Sequence, residues 1–309
     1  MKKKHKVLKI VLISVGGFFA TILTIVGAFL IYASATTLKV EDECSVDING
    51  NASKSLNSTD TVKIMSWNIG YASLDEEADF FMDGGKTTRG ISKEKTEENL
   101  KALKEKMVEN DPDILMVQEI DIDSHRSHRV NELNSFKETF REDTYTNDFA
   151  FNYKAGYVPY PIPTIGKVNS GISTFSKYQM QDAKRVQLPI PFSWPVSLVN
   201  LKRCLLINRI HLEDVDKDLV VINLHLEAYD DGEGKTKQFN MLSKTRRAPP
   251  AGTRRDRSAS PFRKSARRSP SARSSCLCRA IARRICQRRP SANRPVCRRR
   301  HRRCCKVRS

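Results

Sequence analysis

Residues 113–121 read DILMVQEID. Ile114, Leu115, Met116 and Val117 form an unbroken apolar run, the length of a strand buried on both faces, and Gln118 and Glu119 follow at once. A carboxylate at the carboxyl end of such a strand can hold Mg²⁺, which takes one or two carboxylates and completes its shell with water and substrate oxygens. The same pattern also suits an ordinary polar strand terminus, so the run has to be read with its neighbours.

Upstream, residues 62–68 (VKIMSWN) read as a strand that ends on Asn68 and is turned off by Ile69-Gly70. Residues 92–110 read as a helix, with Ser92 as cap, Leu100, Leu103 and Met107 as its apolar stripe, and Asn110-Asp111-Pro112 as its stop. A shorter helix is predicted over 130–140, with Val130, Leu133 and Phe140 on one side. Strands are predicted over 149–153 and 171–175 around a Pro-rich loop, then over 204–210 and 219–226. Several strands follow one another without an intervening helix, which points to an α/β domain with mixed sheets. Two Gly-Lys-Thr triplets, at 85–87 and 234–236, lack the glycine that a phosphate-binding loop places five residues earlier; Phe80 and Tyr229 stand there.

Residues 219–230 read LVVINLHLEAYD. Alternation along a strand predicts that Val220, Ile222, Leu224 and Leu226 enter a core, while Val221, Asn223, His225 and Glu227 face the other way. Asn223 and His225 then share a face on which they can bind an anion together.

The N-terminus carries Lys2, Lys3, Lys4, Lys6 and Lys9, followed by an uncharged apolar stretch over 10–32. As a helix that stretch spans about 34 Å, enough to cross a bilayer core of roughly 30 Å. The lysines predict a cytoplasmic segment over 1–9 and a membrane anchor over 10–32 that sends the remainder outside the cell. The alternative is secretion after cleavage near Ala35. Residues 33–60 are Ser/Asn-rich and read as a linker.

Charge is unevenly spread. The whole chain holds 54 Lys and Arg against 35 acids, but residues 246–309 hold 23 of the former and only Asp256 of the latter. The near-neutral part before them carries only Cys44 and Cys204, so it needs a hydrophobic core rather than a disulfide scaffold.

The phrases SWNIG, QEID, NSGIS at 169–173 and NLHLEAYD occur in that order. As a set they resemble the endonuclease/exonuclease/phosphatase superfamily, the deoxyribonuclease I-like proteins, in a membrane-anchored or secreted bacterial subgroup. The resemblance covers residues 61–244. It implies a four-layer α/β sandwich that cleaves phosphate esters with Mg²⁺ or Mn²⁺. On that resemblance Glu119 and Asn68 hold the metal, His225 and Asn223 are catalytic, and Asn169 lies near the substrate. The implied substrate is nucleic acid, phospholipid or a small phosphoester, and no specific protein partner can be inferred.

Such proteins also carry Gly-Asp-x-Asn and Ser-Asp-His, which orient the nucleophile and supply the general base. Neither occurs after His225. Residues 245–309 switch from Lys to Arg, lose their acids and hold too few large apolar residues to build a core. Three readings stand: a shifted reading frame that leaves the domain incomplete with a disordered tail, a genuine Arg-rich arm, or a Cys-based metal site. The expectation is an inactive phosphoesterase. The rivals are a membrane-anchored polyanion-binding protein that uses the Arg-rich tail and a sphingomyelinase-like phospholipase.

Overall fold

The computed structural model describes residues 2–227 and 232–247. The expected tail lies, from residue 248 onward, outside the described residues. The order begins with helix α1 (Lys2–Thr36), strand β1 (Glu43–Ser45), strand β2 (Ile64–Asn68), helix α2 (Lys93–Asn110), strand β3 (Ile114–Asp121) and helix α3 (Glu132–Thr139). Strands β4 (Thr146–Asn147), β5 (Ala150–Val158), β6 (Gly166–Ser176), β7 (Met180–Gln187), β8 (Cys204–Leu212) and β9 (Lys217–Leu224) follow, and then helix α4 (Glu233–Arg247).

Two sheets carry these strands. One runs β2-β3-β6-β4 with β5 also paired to β6; the other runs β1-β7-β8-β9. Among the described residues the only parallel strand pair in the two sheets is β2 with β3, joined through α2, and the remaining strand pairs are antiparallel. This is the mixed α/β, two-sheet architecture that the sequence implied.

β3 works on both faces, as its unbroken apolar run requires. Leu115 and Val117 join Leu100, Met107, Phe136, Phe140 and Phe175 in the core beneath α2 and α3. Ile114 and Met116 point the opposite way and pack with Tyr178, Met180, Ile210 and Val221 between the sheets. Ser92 caps α2 by accepting from the Lys95 amide at 3.1 Å, and Asp111 ends it in the left-handed conformation.

Two sequence expectations need correction. The alternation on β9 has the opposite sense: Val221 and Asn223 are buried, whereas Val220 is exposed. The Asn223 face is the one that meets the other sheet, and cross-sheet hydrogen bonds offset the cost of burying its amide. Residues 33–60 are not a free linker, since β1 extends the second sheet along β7 and Ala52 and Leu56 are buried. α4 turns Gln238 inward and leaves Phe239 exposed; the Gln238 amide accepts from the Glu227 amide N–H and donates to the Pro189 carbonyl.

Candidate active site

β2 and β3 run parallel with Asn68 beside Gln118, so their carboxyl ends lie together. The register of β3 on β6 slips between Gln118 and Ile120. Glu119 is the extra residue, and its φ of 57° lies in the left-handed region that non-glycine residues rarely adopt. Such a bulge re-aims one side chain out of the pleat. Here it leaves Gln118 pointing between the sheets and frees Glu119 at the strand end. Backbone strain of this kind costs about 1–2 kcal/mol and gathers at functional sites.

Two side chains meet the Glu119 Oε1 atom. The Asn68 side-chain amide donates to it at 3.0 Å, and His225 Nε2 lies 3.5 Å away. Asn68 is itself fixed, because its Oδ1 accepts from the Gly70 amide at 3.0 Å. Its carbonyl is therefore occupied, and its amide orients Glu119. Of the two residues expected to hold a metal, only Glu119 presents a carboxylate.

His225 stands just past the end of β9. Its Nδ1 is 3.0 Å from Arg203 Nη1. A guanidinium can only donate, so Nδ1 must accept and the ring proton sits on Nε2, the atom facing Glu119. Burial first, and then the Arg203 charge, push the His225 pKa down to about 4, so the ring is neutral at pH 7. Arg203 is held in turn by Glu227, whose carboxylate takes Nε at 3.1 Å and Nη2 at 3.3 Å, both residues being almost fully buried. The arrangement is a relay of position, from Glu227 to Arg203 to His225 to the Glu119 carboxylate.

Asn223 is only 1% exposed. Its Oδ1 accepts from Gln118 at 2.7 Å, and its Nδ2 donates to the carbonyls of Ser173 at 2.8 Å and Val117 at 3.3 Å. Its amide is spent joining the two sheets behind the site rather than facing an anion. Asn169 sits on β6 opposite Lys154. Its backbone binds the Ser124 hydroxyl and the Ile122 amide, which ties β6 to the segment after β3.

A second charged group lies beneath the bulge. Arg126 binds Asp121 through two nitrogens, at 2.9 and 3.0 Å, and stacks 3.9 Å from the Tyr71 ring. Burial works against its charge, but the Asp121 carboxylate outweighs this and keeps the guanidinium firmly protonated. Burial, and after it the charge of Asp121, hold the Glu132 carboxyl well above the usual carboxylate range. Arg126 and Arg203 were invisible to the sequence reading. Each lies outside any motif and acquires its role only by stacking or pairing across the fold.

Among the described residues no group of three or more His, Cys, Asp and Glu side chains converges as a metal site. The donor set at Glu119 is one carboxylate, whose Oε2 takes no hydrogen bond among the described residues. That fits a hard cation such as Mg²⁺, which keeps most of its ligands as water and substrate oxygens. It does not fit a metal that needs a closed protein cage.

A family model for the Endonuclease/Exonuclease/phosphatase family matches residues 65–272. The match thus runs past Thr245, where the composition changes. No curated protein matches the chain. Among solved structures, an endonuclease/exonuclease/phosphatase from Beutenbergia cavernae DSM 12333 aligns at a TM-score of 0.43 and 17% identity, over 59% of this chain and 43% of that one. A family protein from Leptotrichia buccalis C-1013-b aligns at 0.40 and 16%, over 60% and 63%. ANGEL2, a 2',3'-cyclic phosphatase, aligns at 0.40 and 15%, over 64% and 49%. The chain spans less than two thirds of the length of each.

Proposed function

The chain belongs to the endonuclease/exonuclease/phosphatase family, and from that membership we propose that its site binds a divalent cation and a phosphate ester in the manner of a metal-dependent phosphoesterase. The observation that carries this reading is the meeting of Asn68 and His225 on one oxygen of the strained Glu119. Glu119 would hold Mg²⁺ or Mn²⁺, with Asn68 fixing its rotamer. When bound, the ion would polarise a phosphoryl oxygen. His225, neutral and with its proton on Nε2, would donate to a phosphate oxygen as negative charge grows there. Arg203 would keep that tautomer in place, and Glu227 would keep Arg203 in place.

This chain would bind better than it turns over. The sequence has neither Gly-Asp-x-Asn nor Ser-Asp-His after His225, and its only later histidine is His301. The loss of a general base costs about 10²–10⁴ in rate. The test is hydrolysis of bis(p-nitrophenyl) phosphate by the purified full chain with Mg²⁺. The expected result is no turnover that His225→Ala diminishes, together with saturable Mn²⁺ binding that Glu119→Gln weakens by roughly 100-fold or more. Turnover that disappears with His225→Ala would overturn the inactivity, and failure to bind Mn²⁺ would overturn the metal site.

The helix α1 is long and apolar enough, over Lys4–Thr36, to be a membrane anchor or a signal sequence. We read it as an anchor that holds the domain at the outer face of the membrane. The support is the uninterrupted helix and the five lysines at its start.

A further inference from the structure

Four large apolar side chains stand out from two loops. Tyr160 is 74% and Ile162 90% exposed, between β5 and β6; Trp194 is 66% and Val196 50% exposed, between β7 and β8. Exposed apolar side chains that stand together mark a contact surface, whereas scattered ones do not. Both loops are rooted in one small core, where Val158 and Ile165 pack with Val199 and Leu201. They therefore form one surface.

The end of α1 is tied to that same surface. The Leu38 amide donates to the Lys154 carbonyl at 3.0 Å, and the Gly156 amide donates to Thr36 Oγ1 at 3.2 Å. A lower residue number on this chain thus meets a higher one on β5, so the chain runs antiparallel to the strand. Followed backward from Thr36, towards the apolar stretch, it leads towards Val158 and the first loop. Lys202, just after the second loop, donates to Thr37 Oγ1 at 2.9 Å and to the Leu38 carbonyl. At Gly156 the approach leaves no room for a side chain: an added Cβ would lie 2.5 Å from Thr36 Oγ1 and 2.7 Å from Tyr32 Oη.

The burial pattern fixes the level. Residues 4–26 of α1 are exposed throughout, but Phe29 and Leu30 are half-buried and Ala33 is buried. These three share one helical face. Phe29 and Leu30 also lie within the apolar stretch that would enter the bilayer. Whatever covers them reaches bilayer depth.

We propose that the loops carrying Tyr160, Ile162, Trp194 and Val196 dock in the interface of the phospholipid bilayer that α1 spans. Tyr and Trp prefer that interface, where a ring meets both headgroups and acyl chains, and Tyr32 marks its level on the helix. This rests on reading α1 as an anchor. It also orients the candidate site. β5 and β6 run antiparallel, as do β6 and β3, so the loop after Val158 lies at the same end of the sheet as Glu119. The β9–β8 pairing places His225 at the Cys204 end of β8, where the second loop arrives. Glu119 and His225 therefore lie at the sheet ends from which the two loops emerge.

The chain has two tryptophans, Trp67 and Trp194. The full chain is reconstituted into phosphatidylcholine vesicles with and without lipids brominated near the top of the acyl chain, and Trp emission is compared with that of Trp194→Phe. Trp194 is exposed, so this substitution should not disturb folding. The expected result is quenching by brominated lipid in the parent that is lost in Trp194→Phe. Equal quenching in the two proteins, or none in either, overturns the docking. A blue-shifted but unquenched Trp194 signal also overturns it, because protein rather than lipid would then cover the loop. Alkaline carbonate extraction separates the two readings. A chain that stays in the pellet without Trp194 quenching loses only the docking, whereas a chain released by carbonate loses the anchor and the docking with it.

Discussion

The ends of β3 and β9 face each other across the site, and each offers a buried amide and an ionisable group. On β9 these are Asn223 and His225, two residues apart, as ordinary alternation demands. On β3 they are Gln118 and Glu119, adjacent, which no regular strand can turn to one region. The bulge resolves this by placing Glu119 at a φ of 57°. The two amides bind each other at 2.7 Å, and the two ionisable groups lie 3.5 Å apart. One strand reaches the site by its regular period and the other by breaking it. The amides bind the sheets together, and the ionisable groups are left facing each other.

Breaking the amide pair should have the largest effect. Asn223→Leu removes the shortest bond of the Gln118 amide and the donor to two carbonyls, and is expected to destabilise the domain by about 2–4 kcal/mol in urea unfolding. Gln118→Met combined with Asn223→Leu should cost less than the two changes added together. Simple additivity would mean that the pair does not act as a unit. Removing the β3 charge comes next. Glu119→Gln should weaken Mn²⁺ binding by roughly 100-fold or more, read by titration with paramagnetic detection, whereas Asn68→Ala, which only loosens the ligand, should cost roughly 10-fold.

The β9 partner is best probed by pH. The His225 pKa falls to about 4 in the folded protein, below its ordinary value of 6.5. The unfolded chain therefore binds the extra proton between these values. The stability that His225 contributes is intact above pH 6.5 and is lost as pH falls towards 4. His225→Gln should remove that slope, on the order of 3 kcal/mol across the window. Stability curves of parent and variant that stay parallel from pH 7 to 4 would refute the shift. The smallest effect tests the strain itself. Glu119→Gly in the presence of a chelator should stabilise the domain by about 0.5–1 kcal/mol, because glycine adopts the left-handed region without a Cβ clash. A loss of stability would show that the bulge is not strained.

Much of this architecture can be read from local patterns. The apolar run of β3, the capped α2 and the apolar stripe that buries Leu100 and Met107 all follow from spacing and side-chain chemistry. Glu119, Asn68 and His225 were legible as candidates because each ends a recognisable strand. The sense of β9 was not. An Asn in alternation with aliphatic residues reads as solvent-facing until its partners are known, and Gln118 lies 105 residues away. β1 was missed for a related reason: Glu43–Ser45 is too short and polar to read as a strand, and it pairs only because β7 offers an open edge.

The sequence alone determined the anchor-like apolar stretch, the change of composition after Thr245 and the identity of the groups that end each strand, because these depend on residues near one another in the chain. Only the tertiary structure decided that Glu119 is displaced by a bulge, that Arg203 and Glu227 set the tautomer of His225, and that the Asn223 amide is spent between the sheets. Register, cross-sheet pairing and burial are properties of two strands at once, and no single stretch of sequence carries them.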